Sequence, residues 1–223
     1  MAKIITIFNQ KGGCAKTMTT MQLGGAFALK GFKVLIIDMD RQGTALTWAA
    51  TAAKESPFPA EVLSWASLGP MFINSLAKIT DEYDLILVDC PPAIESPIPW
   101  SSLLVSDLGV IPFIPTLENL WATKQAKELA VRAKKENPNL QIWYLSAKSD
   151  RTKVTKTTVH EIEKDQDIPL LKSSIVSRAQ YPESVYYGTI VHAFSRSSPA
   201  ALEVDDLADE LLTLLEVEIE SVS

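Results

Sequence analysis

Apolar residues in this chain come in short unbroken runs rather than in alternation with polar ones. Ile4 to Phe8, Val34 to Ile37, Leu85 to Val88, Gly109 to Ile114 and Ile142 to Leu145 are such runs, and Ser173 to Val176 is a weaker one. A strand without a polar face is covered on both sides, as in a parallel sheet wrapped by helices. Between the runs the period lengthens to that of a helix: after Thr17, from Glu118 to Glu136, from Lys153 to Lys164 and from Pro199 to Glu216, with Pro138 and Pro169 marking ends. The pattern predicts an α/β fold: a doubly wound, mostly parallel sheet with helices on both faces. Thr51 to Pro70 carries mixed signals, and the rings around it, Trp48, Phe58, Trp65 and Phe72, are read as core and cover.

The first apolar run empties into Lys11-Gly12-Gly13-Cys14-Ala15-Lys16-Thr17. A strand, a glycine turn and then Lys-Thr at a helix start is the layout of a phosphate-binding loop. Gly12 and Gly13 let the backbone turn tightly and aim N–H groups at phosphate oxygens, and the helix N-terminus adds its positive dipole end. Lys16 is placed to reach the terminal phosphates as a point charge, and the Thr17 hydroxyl suits a Mg²⁺ ion bridging them. The generic motif has glycine where this chain has Gln10 and Ala15. Alanine is accommodated there only at negative φ, because positive φ strains it. The predicted nucleotide contacts are Lys11, Gly12, Gly13, Cys14, Ala15, Lys16, Thr17 and Met18.

Two more runs end in acids: Val34-Leu35-Ile36-Ile37-Asp38-Met39-Asp40 and Leu85-Ile86-Leu87-Val88-Asp89-Cys90-Pro91-Pro92. Ligands of open α/β sheets bind beyond the carboxyl ends of the strands, so these acids converge on the crevice that holds the loop. A Mg–phosphate site needs carboxylates there.

Lys-Gly-Gly-x-x-Lys-Thr, Ile-Asp-x-Asp-x-Gln-Gly and Val-Asp-x-Pro-Pro together resemble the ParA/MinD family of deviant Walker-box ATPases. The resemblance runs on through Ser177-Arg178 and the segment from Ser198 to Glu216. It implies that Lys11 is the signature lysine reaching across an ATP-sandwiched dimer, Lys16 the loop lysine and Thr17 the Mg²⁺ ligand. It further implies that Asp40 orients the attacking water while Asp38 and Asp89 hold the hydrated magnesium. Arg41 stands where the family usually has proline. The strand end from Leu145 to Asp150 lacks the asparagine that often faces adenine in the family, which leaves the choice of purine open.

At 223 residues and 47% hydrophobic composition the chain can bury one core, so a single domain over 1–223 is expected. No stretch is long enough to span a bilayer, and Asn9, Gln10 and Lys11 interrupt the first apolar run before it can serve as a signal peptide. A cytoplasmic location follows. Cys14 and Cys90 have neither disulfide-scaffold nor zinc spacing and are read as packing residues.

A net charge of −6 gives no long-range attraction to phosphate, but the Debye length is about 8 Å at physiological salt, so local charge decides. Lys148, Arg151, Lys153, Lys156, Lys172, Arg178 and Arg196 concentrate in the C-terminal part. In ParA-type relatives basic residues there form a DNA surface across the dimer. Lys153, Lys156, Lys172, Arg178 and Arg196 are the candidates, which implies nucleoid association. The end, Leu211 to Glu220, carries acids where a membrane-binding MinD-type helix carries bases, so no membrane is expected. The first strand begins almost at residue 1, so the N-terminal DNA-reading domain that some larger partition ATPases carry is not expected.

The resemblance therefore implies a short ParA-type ATPase using ATP and Mg²⁺, a homodimer when ATP is bound. Its dimer binds duplex DNA without reading sequence, and a ParB-like or McdB-like cargo adaptor stimulates turnover and release. The cargo is a plasmid, a chromosome origin or a protein organelle. Two alternatives stay open: a P-loop metabolic enzyme related to ligases or amidotransferases, against which Lys11 argues, and a DNA-binding scaffold that has lost hydrolysis through Ala15 and Arg41.

Overall fold

The computed structural model describes residues 1–92, 96–150 and 152–217. Arg151 and the acidic end Glu218-Ile219-Glu220, both used above, lie outside the described residues.

The strands are β1 (Lys3–Ile7), β2 (Val34–Asp38), β3 (Glu61–Ser64), β4 (Leu85–Asp89), β5 (Leu108–Phe113), β6 (Gln141–Ser149) and β7 (Leu170–Val176). The helices are α1 (Lys16–Leu29), α2 (Thr44–Ala50), α3 (Phe72–Leu76), α4 (Pro97–Leu104), α5 (Leu117–Glu136), α6 (Lys153–Glu163), α7 (Gln180–Tyr186) and α8 (Pro199–Leu214). Short 3₁₀ turns cover Ala66–Met71 and Val191–Ala193.

Among the described residues the strands form one sheet in the order β3-β2-β4-β1-β5-β6-β7, and every pairing is parallel. Winding reverses at β1. The chain steps outward on one side through α1 and α2, and on the other through α4, α5 and α6. Right-handed crossovers in opposite directions put those helices on opposite faces. The buried residues divide accordingly. Ile5, Ile7, Val34, Ile36, Leu85 and Leu87 pack under α1 and α8, while Leu35, Ile37, Ile86, Val88, Ile111 and Phe113 pack under α3, α4, α5 and α6. Strands β2, β4 and β5 are buried at every position, which is why they read as unbroken apolar runs. Each large side chain so buried contributes roughly 1.5–3 kcal/mol.

The Thr51 to Pro70 segment resolves into β3 and a 3₁₀ turn. Trp48, Phe58 and Phe72 are buried, and Trp65 is a half-buried cover on the second core. Strand β3 is half-exposed and exists because β2 pairs with it from Leu35 to Asp38.

Candidate nucleotide-binding site

The loop between β1 and α1 is anchored before it turns. Asn9, buried at the end of β1, donates from Nδ2 to the Pro112 carbonyl of β5 (2.9 Å) and accepts the Lys11 N–H at Oδ1 (3.2 Å). Two residues then take left-handed backbone, Gly13 at φ +75° and Ala15 at φ +73°. The negative φ under which Ala15 is harmless is not what the fold adopts. An L-residue there crowds its Cβ against the following carbonyl, at roughly 1 kcal/mol.

Lys16 is buried and folded back over the loop, its Nζ donating to the Lys11 carbonyl (3.0 Å). The Cys14 thiol shares that acceptor at 3.1 Å and faces inward, so Cys14 offers the crevice only its backbone. Burial pushes both thiols up, Cys90 to about 12, and they are protonated packing groups at neutral pH.

The strand-end acids meet beneath the loop. Asp38 and Asp89 are register partners at the ends of β2 and β4. Asp89 accepts from Thr17 Oγ1 at 2.6 Å and from Thr20 Oγ1 at 3.3 Å. Asp38 accepts three backbone N–H groups, Asp40 (3.0 Å), Ala45 (3.0 Å) and Leu46 (3.2 Å), and so caps α2. Burial pushes Asp89 up to about 7; the Thr17 bond opposes this and the Asp38 charge adds to it. Burial also raises Asp38, against the pull of its three backbone donors. Asp40 is half-buried, with Oδ1 on the Gln42 N–H (3.0 Å).

Gly12, Gly13, Ala15, Lys16, Thr17 and Met18 line a cavity of about 310 Å³ that Asp40 also enters. Its far walls are Thr44 and Trp48 of α2, Pro92, Lys148 at the end of β6 and Val185 of α7. Lys148 holds φ +50° where it lines the crevice. Lys11 stands outside, half-buried, 3.7 Å from Glu118 at the start of α5. Asn9 and Thr20 are the site residues that motif reading missed. An Asn directly between strand and glycine turn, and a hydroxyl three positions beyond Thr17 on one helix face, were the available signals.

Of the basic candidates, Lys153, Lys156, Lys172 and Arg196 are exposed and form no ion pair among the described residues. Lys156 and Lys172 both line a groove of about 570 Å³ between α6 and β7, a larger opening that holds none of the loop residues. Arg178 is different: its guanidinium is bound to Glu203 of α8 through Nε (3.0 Å) and Nη2.

A parallel sheet whose central strand empties through a glycine turn onto a helix N-terminus, with carboxylates at the neighbouring strand ends, defines a P-loop nucleotide-binding architecture. The chain belongs to the CobQ/CobB/MinD/ParA nucleotide binding domain family, which matches residues 5–191. It is 28% identical to maintenance of carboxysome distribution protein A of Halothiobacillus neapolitanus over 213 residues, spanning 93% of this chain and 95% of that protein. The sporulation initiation inhibitor protein Soj of Bacillus subtilis is 25% identical, over 95% of this chain and 98% of its own length. The solved structure of apo McdA from Cyanothece superposes with a TM-score of 0.78 at 15% identity, over 95% of this chain and all of that one, and shares the fold.

Proposed function

We propose that this chain, as one domain over 1–223, is a ParA-type positioning ATPase that alternates between an ATP-bound dimer and a monomer. The observation that carries the reading is the convergence of loop, Thr17–Asp89 bond and Asp40 on one crevice at the point where the sheet reverses. The backbone of Gly12 to Thr17 and the Lys16 ammonium hold the β- and γ-phosphates once Lys16 leaves the Lys11 carbonyl. Among the described residues no cluster of three or more His, Cys, Asp or Glu is grouped to hold a metal unaided. Mg²⁺ is characteristically held by one or two carboxylates together with phosphates and water. Thr17, Asp89 and Asp38 fit that demand: two buried carboxylates side by side, both titrating high, are what a cation relieves. Bound there, Mg²⁺ would supply neutralisation of the phosphate charge. Asp40, free of the carboxylate pair and facing the cavity, is the group that orients water. Lys11, outside its own cavity and paired only with the exposed Glu118, is the side chain that reaches a second copy's nucleotide in this reading.

The similarity to carboxysome-distribution and Soj proteins supports a positioning role on nonspecific duplex DNA, with a ParB-like or McdB-like adaptor and a nucleoid-associated cytoplasmic location. Among the described residues no helix is long and apolar enough to cross a membrane. Calorimetry and size-exclusion chromatography test the reading. Lys16→Gln is expected to abolish ATP binding. Asp40→Ala is expected to bind ATP, to hydrolyse it on the order of 10²-fold more slowly, and to accumulate as a dimer. A Lys16→Gln protein with unchanged ATP affinity removes the phosphate loop from the account.

A further inference from the structure

The groove of about 570 Å³ between α6 and β7 shares no lining residue with the nucleotide cavity. It lies where the sheet is irregular. Between Tyr144 and Ser146 strand β6 advances two residues, while β7 advances four, from Leu170 to Ser174. Bulges of this kind re-aim side chains and gather beside functional sites. Across the bulge the Lys172 and Ser173 N–H groups donate to Glu210 of α8. Ser146 is the register partner of Ser174, so Lys172 stands two residues along β7 from the partner of Ser146.

The Ser146 side chain points to the same face of the sheet as Tyr144, which packs in the core under α5 and α6, and it lines the groove. Ser146 is only 5% exposed, and its hydroxyl has no hydrogen-bond partner among the described residues. A buried hydroxyl left unpaired is destabilising, so its place on a groove wall points to a ligand that completes it.

Charge defines the chemistry of that ligand. The acids that line the groove are engaged within the chain. Asp150 accepts from the Thr152 N–H (3.1 Å), the Thr152 hydroxyl (2.7 Å) and the Thr155 hydroxyl. Asp165 is bound by Lys127 at 2.7 Å, and Glu163 lies 3.5 Å from His160. Glu163 also stands two turns beyond Lys156 on α6, roughly 10 Å along the helix axis. Lys156 and Lys172, both exposed, have no ion-pair partner among the described residues. The unmatched charge of the groove is therefore two ammonium groups, with a buried hydroxyl beside them. A phosphate monoester matches this set, since it carries close to two negative charges at neutral pH and three acceptor oxygens, where a carboxylate carries one charge. Val159 and Leu170, partly buried on the second core, add an apolar wall. Duplex DNA presents singly charged phosphodiesters across a surface and has no apolar body to lay on that wall. We infer that the groove between α6 and β7 is a second ligand site, for a small organic phosphate. Its monoester head is taken by Lys156, Lys172 and Ser146, and its apolar body lies on Val159 and Leu170.

The test titrates phenyl phosphate into the full chain saturated with Mg²⁺ and ADP, read by ligand-observed NMR and calorimetry. Binding at about a millimolar or tighter is expected, with benzoate about tenfold weaker and phenol weaker still. Lys156→Ala and Lys172→Ala are each expected to weaken phenyl phosphate about fivefold or more. Ser146→Ala is expected to weaken it about threefold while the melting temperature holds, because the variant loses a donor that nothing in the chain uses. Lys16→Gln is expected to bind phenyl phosphate as the parent does. A parent that shows no binding, or benzoate that binds as tightly as phenyl phosphate, overturns the proposal. Loss of binding in Lys16→Gln places the probe in the nucleotide loop and overturns it too. Lysine variants that weaken duplex DNA binding and leave phenyl phosphate binding unchanged return the groove to DNA and overturn the small-molecule site.

Discussion

The Asp89 carboxylate lies buried against that of Asp38, and burial lifts its titration to about 7. An unfolded carboxylate titrates near 4, so between about pH 4 and pH 7 the folded chain keeps a proton that the unfolded chain has released. The resulting stabilisation is fully present below pH 4 and is lost as pH rises through 7. Above that, Asp89 holds its charge buried beside Asp38 in the nucleotide-free fold. Asp89→Asn keeps an acceptor for Thr17 and removes one charge. Its melting temperature without nucleotide is expected to exceed the parent's by several degrees at pH 8 and to match it at pH 5, while Mg²⁺-dependent ATP binding is lost. Thermal melts at the two pH values check this, and a variant less stable than the parent at pH 8 contradicts it. Ala15 belongs to the same economy: a left-handed alanine and an uncompensated carboxylate pair are costs that a site bears for its ligand rather than for its fold.

Strand β7 is a sheet edge, and α8 closes it with side chains. Glu210 accepts the Lys172 and Ser173 N–H groups, both at 2.8 Å, and Glu203, two turns earlier on α8, accepts the Val176 N–H (3.2 Å) while holding Arg178. An uncovered edge invites pairing with another chain. Glu210→Ala is expected to cost about 2 kcal/mol and to promote aggregation on heating, read by calorimetry with light scattering. None of this is visible in local sequence, since Glu210 lies far along the chain from Lys172. The same reason separates the elements that periodicity found from those it missed. Helices α5, α6 and α8 and the apolar strands are long enough for their period to register. Helix α2 has seven residues and takes its first N–H partners from Asp38 of β2. Helix α4 opens on Ser96 and contains Pro97 and Pro99, which read as breakers unless Pro97 is seen as the first helical residue. Likewise Gly12 to Thr17, Asp38, Asp40 and Asp89 were legible because each ends a strand run. Asn9 and Thr20 gain their meaning only once β5 and β4 lie beside β1, and Arg178 loses its apparent freedom only once α8 docks.

Over the whole molecule the charge is −6, so contact with nucleic acid depends on where the free bases sit. Lys153, Lys156, Lys172 and Arg196 are exposed, and in the proposed ATP-bound dimer their number doubles. Duplex DNA of random sequence is therefore expected to bind the ATP state far better than the ADP or nucleotide-free state. Each phosphate contact contributes about −0.9 to the slope of log affinity against log salt, so replacing Lys156 or Lys172 flattens that slope by about one per contact removed. Arg178→Ala, whose guanidinium is committed to Glu203, is expected to lower stability and leave the slope unchanged. Fluorescence polarisation over a salt series in the three nucleotide states measures both effects; equal binding in all three defeats the switch. The central position of β1 also has a consequence for how the protein is made. Lys3 pairs with Leu85, and Ile5 with Leu108. During synthesis the glycine loop leaves the ribosome long before either neighbour of its strand exists, so a nascent chain cannot capture nucleotide. The loop becomes competent only when β4 and β5 close around β1, so nucleotide capture waits until the first half of the chain, through Phe113, has been made.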